Sequence, residues 1–190
     1  MKNKRIVWSC LVILLTGVIY FAVQYQQKNG THRANFSGEW KAKESISMGG
    51  NIVCCYNSGD RMLAKTMKIA EQANFLTIEA SSSFPGTAPV MSQEKLDFDG
   101  KESQIDYGQE RGKKFTVKMS ADGKTMTVNS IVHFMTVTPY HVDVLKQAQV
   151  YVTEVWKLSN DGKSIAVQAT AKSNLYDKER SWNTVFDKVN

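Results

Sequence analysis

From residue 110 onward, apolar and polar residues alternate with a period of two. In "KFTVKMS", Phe115, Val117 and Met119 share one face, and Thr116 and Lys118 the other. "TMTVNSIVHF" places Met126, Val128, Ser130, Val132 and Phe134 together, and "VYVTEVWKLS" does the same with Val150, Val152, Glu154, Trp156 and Leu158. Ile165, Val167, Ala169 and Ala171 follow, and the final "SWNTVFDKV" sets Trp182, Thr184, Phe186 and Lys188 against Val185 and Val189. Such alternation marks antiparallel strands buried on one face. Upstream, "KTMKIAEQANFLTIEA" reads as a hairpin in which Met67 and Ile69 face Leu76, Ile78 and Ala80, with a helix over 62–73 as the rival reading. Strands are expected near 38–47, 63–70, 75–81, 91–98, 103–107, 114–119, 125–137, 146–158, 164–172 and 181–188. Eight to ten short strands joined by tight turns predict an all-β meander barrel. Residues 81–89 and 138–148 are expected at its rim.

Two corners are written almost identically, "KMSADGKTMTV" and "KLSNDGKSIAV". With Asp122-Gly123 at a hairpin tip, Met119 faces Met126 and Val117 faces Val128. With Asp161-Gly162 at the tip, Leu158 faces Ile165 and Trp156 faces Val167. A slip of one residue would turn every side chain to the wrong face. A two-residue tip wants positive φ, which Gly adopts freely and Asp tolerates, while a four-residue loop preserves the same facing pairs. One carboxylate beside a lysine falls short of the six to eight oxygens that calcium takes, so these are corners and not ion sites.

The beginning of the chain breaks the pattern. Residues 6–23, "IVWSCLVILLTGVIYFAV", carry no charge and follow Lys2, Lys4 and Arg5. As a helix they would cover roughly 27 Å, close to the hydrocarbon thickness of a bilayer. The basic flank leaves residues 1–5 in the cytoplasm and exports the rest. Ile6 to Trp8 are too few to form the apolar region of a lipoprotein signal ahead of Cys10. "YFAVQYQQ" lacks a small-x-small cleavage site, so an uncleaved anchor in a bacterial inner membrane fits better than a cleaved, secreted product. Residues 24–34 read as a polar tether and 35–190 as the barrel domain, in the periplasm.

Composition removes several functions. The formal charge is +6, but only about +3 remains without the three basic residues at the start, too little for a nucleic-acid face. Cys10 lies in the apolar run, and the adjacent Cys54 and Cys55 have no partner at metal-ligand spacing among His32, His133 and His141. No metal or cofactor is therefore assigned. Without a nucleophile elbow, paired-carboxylate spacing or phosphate loop, the chain does not read as an enzyme.

The barrel domain opens "NFSGEWK". Phe36, Gly38, Trp40 and Lys41 stand at the positions of the F-x-G-x-W-K start that the chain shares by resemblance with the calycin barrels, the lipocalins and fatty-acid-binding proteins. "KIAEQANFLTI", "DGKE" at 99–102, "WKLSNDGKSIAV" and "FDK" at 186–188 extend the likeness. They make the chain similar to small exported bacterial lipocalin-like proteins without assigned activity. The resemblance implies a barrel with Phe36, Gly38 and Trp40 structural at one end, and it carries no catalytic residues. The loop "SMGGNIVCCYNSGD" and residues 130–150 depart from it.

Two functions follow as expectations. The barrel holds a small apolar or amphipathic ligand, lined by Phe115, Val117, Val152, Glu154 and Trp156, or it is packed solid and meets another envelope protein. Glu154 shares a face with Val152 and Trp156, so it must orient a ligand's polar end or pair with an Arg or Lys. His133, on the face of Ile131 and Met135, reads as a strand histidine with an exposed edge.

Overall fold

In the computed structural model, residues 34–43, 61–82, 88–108, 111–138, 141–174 and 179–189 are described, with the backbone alone for 62, 107, 134–138 and 141–147. The expected anchor at 6–23, all but the last residue of the tether, His32, and Cys54 and Cys55 lie outside them. Residues 34–190 form one compact unit.

Ten strands follow one another: β1 (Gly38–Ala42), β2 (Thr66–Glu71), β3 (Phe75–Ser82), β4 (Val90–Asp97), β5 (Ser103–Gly108), β6 (Arg111–Met119), β7 (Thr125–Thr138), β8 (His141–Leu158), β9 (Ser164–Ser173) and β10 (Arg180–Lys188). One 3-10 turn, Arg61–Leu63, precedes β2. All ladders are antiparallel, in the order β4-β3-β2-β1-β10-β9-β8-β7-β6-β5. The result is a meander whose first and last strands join through β1 and β10, a nearly closed barrel with β4 and β5 as its two edges. The rival helix over 62–73 is not formed. Its residues alternate in burial through β2, because Met67 and Ile69 face inward against Ala80 and Ile78.

The register is the one that the alternation demands. Met119 pairs with Met126 and Val117 with Val128; Leu158 pairs with Ile165 and Trp156 with Val167. The inward set forms a single core, with Trp40, Leu76, Ile78, Trp156, Ile165 and Phe186 among its fully buried members. The segment expected as rim, 138–148, is instead mostly strand. β8 begins at His141 and pairs with β7 from Thr138 inward, past a register shift. Alternation was weak there, and the backbone ladder with β7 extended the strand regardless.

Both Asp-Gly corners are four-residue loops. At the first, Gly123 N–H donates to Ser120 C=O at 2.9 Å, and Ser120 N–H donates to Thr125 C=O at 2.8 Å. The Ser120 hydroxyl donates to Asp122 Oδ1 at 2.6 Å, and Asp122 Oδ1 also accepts Lys124 N–H at 3.0 Å. Ser159, Asp161, Gly162 and Lys163 repeat the arrangement. These hydroxyl and backbone donors hold both aspartates below the usual carboxylate range. Gly162 has φ of 68°, and nothing lies within 4 Å of where a Cβ would sit. Gly162→Ala should therefore cost only the left-handed backbone penalty, about 1 kcal/mol. Gly162→Asn should cost less, since Asn tolerates that region. Urea midpoints of the two variants test the order; an equal loss for both would show that the conformation is not what matters.

The chain enters the barrel at the same end as these tips, where Ala34 N–H reaches Asp122 C=O. Phe36 and Trp40 are fully buried, and Trp40 Nε1 donates to Phe36 C=O at 2.9 Å. Lys188 Nζ lies 5.2 Å from the centre of the Trp40 ring, a cation over an aromatic face. Gly38 has φ of 145°, and a Cβ there would stand 2.6 Å from Lys188 Cε. The backbone conformation requires glycine, whereas the flexible end of Lys188 could move aside for a Cβ.

Candidate functional site

β8 buries Val150, Val152, Glu154, Trp156 and Leu158 in turn, so its alternation places a carboxylate in the core. Glu154 exposes none of its surface. Its partner is Arg61, 1% exposed, delivered by the 3-10 turn ahead of β2. Arg61 Nη2 donates to Glu154 Oε1 at 2.8 Å and Nε to Oε2 at 3.2 Å, the fork geometry that suits a guanidinium to a carboxylate. Trp156 Nε1 adds a third donor, to Glu154 Oε2 at 2.9 Å. Two positions along the same strand face therefore supply both the charge and one of its satisfying groups.

The cluster continues through Arg61 Nη1, which binds Glu94 Oε2 of β4. Glu94 Oε1 in turn lies 3.6 Å from the ammonium of Lys113 on β6, itself 2% exposed. Two cations and two carboxylates thus meet inside the barrel with no net charge. Burial pushes the Glu94 carboxyl up, but Arg61 and Lys113 outweigh it and hold the group below its ordinary value. A carboxyl depressed in the folded state stabilises the fold above its unfolded pKa, and that stability is lost as pH falls through the folded pKa. The urea midpoint should stay level between pH 7 and about 5, then drop below about pH 4, near and under the ordinary Glu pKa of about 4.3. Glu94→Gln should flatten this drop; an unchanged slope in that variant would assign the acid sensitivity elsewhere.

The five residues expected to line a ligand space do converge. Phe115 and Val117 on β6, and Val152, Glu154 and Trp156 on β8, all point into the common core. Side chains that bordered a ligand-sized void would expose surface to it. None of the five exposes more than 3%. Trp156 instead stacks on Phe186, ring centres 6.3 Å apart and planes within 6°. An open depression of about 290 Å³ lies on β6, β7 and β8, walled mainly by the outward-facing Lys114, Thr116, Asn129, Ile131, Tyr151 and Thr153, and Phe115, Ser130 and Val152 also contribute to its lining. His133 is half-buried on β7, paired with Gln149 and Gly112.

Arg61, Glu94 and Lys113 were not singled out in the sequence. For Lys113 the signal was present: it stands two residues before Phe115 and so on the inward face. Glu94 likewise stands two before the buried Leu96. Arg61 lies in a single turn outside any periodic segment, and nothing local marks it. Among the described residues, no group of three or more His, Cys, Asp or Glu is placed to hold a metal ion, and no helix is long and apolar enough to cross a membrane. No family model, curated protein or solved structure matches the chain.

Proposed function

We propose that this chain is a non-catalytic protein of the bacterial envelope, held in the inner membrane by residues 6–23, whose lipocalin-like barrel is a packed scaffold that meets another envelope protein at its surface. The observation that carries this reading is that none of the five side chains expected to border a ligand exposes more than 3%. Glu154, the one polar group expected to orient a ligand, spends its oxygens on Arg61 and Trp156. The opening "NFSGEWK" and closing "FDK", joined through Trp40 and Lys188, support the lipocalin-like assignment. The uncharged run behind Lys2, Lys4 and Arg5 supports the location.

A second reading, uptake of a small apolar or amphipathic molecule, is favoured by one observation. The Ser130 hydroxyl is buried on the inward face without a hydrogen-bond partner, the kind of atom that a water or a ligand satisfies. Native mass spectra of the full chain, released from detergent and compared before and after organic extraction, separate the two. A bare mass in both is expected for the scaffold, and a co-purifying mass that extraction removes establishes uptake. Recovery of the chain in membranes after a high-salt wash is expected for the anchor, whereas a cleaved product would be soluble.

A further inference from the structure

Nine joints of the sheet are backbone ladders, and between the outer strands β4 and β5 there is none. Parting any ladder breaks several hydrogen bonds at once; β2 and β3, for example, share six residue pairs. Between β4 and the β5–β6 hairpin, which residues 98–102 join along the chain, side-chain contacts take the place of a backbone ladder. Apolar residues contribute from both sides: Leu96 on β4 is fully buried, and Ile105 on β5 packs against the core. The charged contribution is Glu94, which reaches from β4 to Lys113 on β6, the strand behind β5.

We propose that Glu94 is the clasp of this seam, and that protonating it frees β4 to peel from β3 and β5 from β6 while the other ladders stay closed. The charged groups facing Glu94 are Arg61 from the 3-10 turn and Lys113 from β6, with Glu154 of β8 on the far side of Arg61. Ile78, its neighbour on β3, is apolar. With both carboxylates ionised the cluster is neutral. One proton on Glu94 leaves two buried cations facing a single carboxylate, and Arg61 and Lys113 then repel each other across the seam.

Glu94 is the carboxylate nearer to solvent. Its side chain is 13% exposed whereas that of Glu154 is 0% exposed. Glu154 also accepts three hydrogen bonds from Arg61 and Trp156, against the one that Arg61 gives to Glu94. Repulsion therefore arises at the one joint that lacks a ladder.

Hydrogen exchange of the full chain at pH 7 and pH 4, corrected for the intrinsic pH dependence of exchange, tests this by segment. In the wild type, protection over 90–97 and 103–108 should fall by about threefold at pH 4, the most that one carboxyl with an ordinary pKa of about 4.3 in the opened state supplies there, while 150–158 and 164–171 keep theirs. Glu94→Gln should show the lowered protection of the seam already at pH 7, with no further change at pH 4. Lys113→Met, which leaves the Arg61–Glu94 pair in place, should loosen the same two segments at pH 7 and serves if Glu94→Gln does not fold. Equal loss of protection in all segments would mean global unfolding and overturn the proposal. So would wild-type protection of the seam at pH 7 in Glu94→Gln or in Lys113→Met.

Discussion

Arg61→Met is expected to destabilise the barrel by about 3–5 kcal/mol, the range seen when one member of a buried ion pair is removed. The methionine fills much of the space, so the cost is electrostatic. Glu154 is left fully buried with only Trp156 Nε1 to satisfy it, and Glu94 keeps only Lys113, at 3.6 Å. Two features identify this cause. Adding Glu154→Gln should recover a large part of the loss, because a cluster dismantled as a unit leaves fewer stranded charges than one broken in half. The penalty should also shrink toward low pH, where stranded carboxylates take up protons. Urea midpoints of the single and double variants at pH 7 and pH 4 measure both. A single-variant loss under 1 kcal/mol would show that the buried pairs do not hold the core together.

Trp156→Ala should cost a comparable amount, about 3–5 kcal/mol for a buried aromatic ring reduced to a methyl group. Trp156 is fully buried, stacks on Phe186 and donates to Glu154. Trp156→Phe separates these roles. It keeps most of the packing and removes the N–H, so it should cost about 1–3 kcal/mol, the desolvation penalty of a buried acceptor that loses a donor. Denaturant midpoints of the pair resolve the two contributions. Phe costing as much as Ala would assign the whole effect to the hydrogen bond. The Ala variant bears on function as well: it removes the buried ring stacked on Phe186, and a hydrophobic dye ignored by the wild type should bind in the space that it leaves.

Much of the barrel could be read from local pattern. Trp156 opposite Val167 and Met119 opposite Met126 follow from a period of two reflected about an Asp-Gly corner. The loop length did not follow, because two-residue and four-residue tips give the same facing pairs; the Ser120 and Ser159 hydroxyls decided for four. Residues 141–145 were missed as strand for the opposite reason. Their pairing with β7 is set by the partner backbone and not by their own alternation.

For the interior cluster, parity could say which way a residue points but not what it meets. Glu154 was recognisable as an inward carboxylate, and Lys113 and Glu94 had the right parity to be found. Their meeting depends on Arg61, which stands 93 positions from Glu154 and 33 from Glu94, in a turn with no periodicity of its own.

The amino-acid sequence by itself determined most of the strands, their faces and the pairing about each tight turn, because alternation and turn chemistry act over a few residues. Only the tertiary structure decided where the barrel leaves its seam and which four charges share its interior. Closure brings together elements far apart in the chain, and the energy of a buried charge depends on what surrounds it in space.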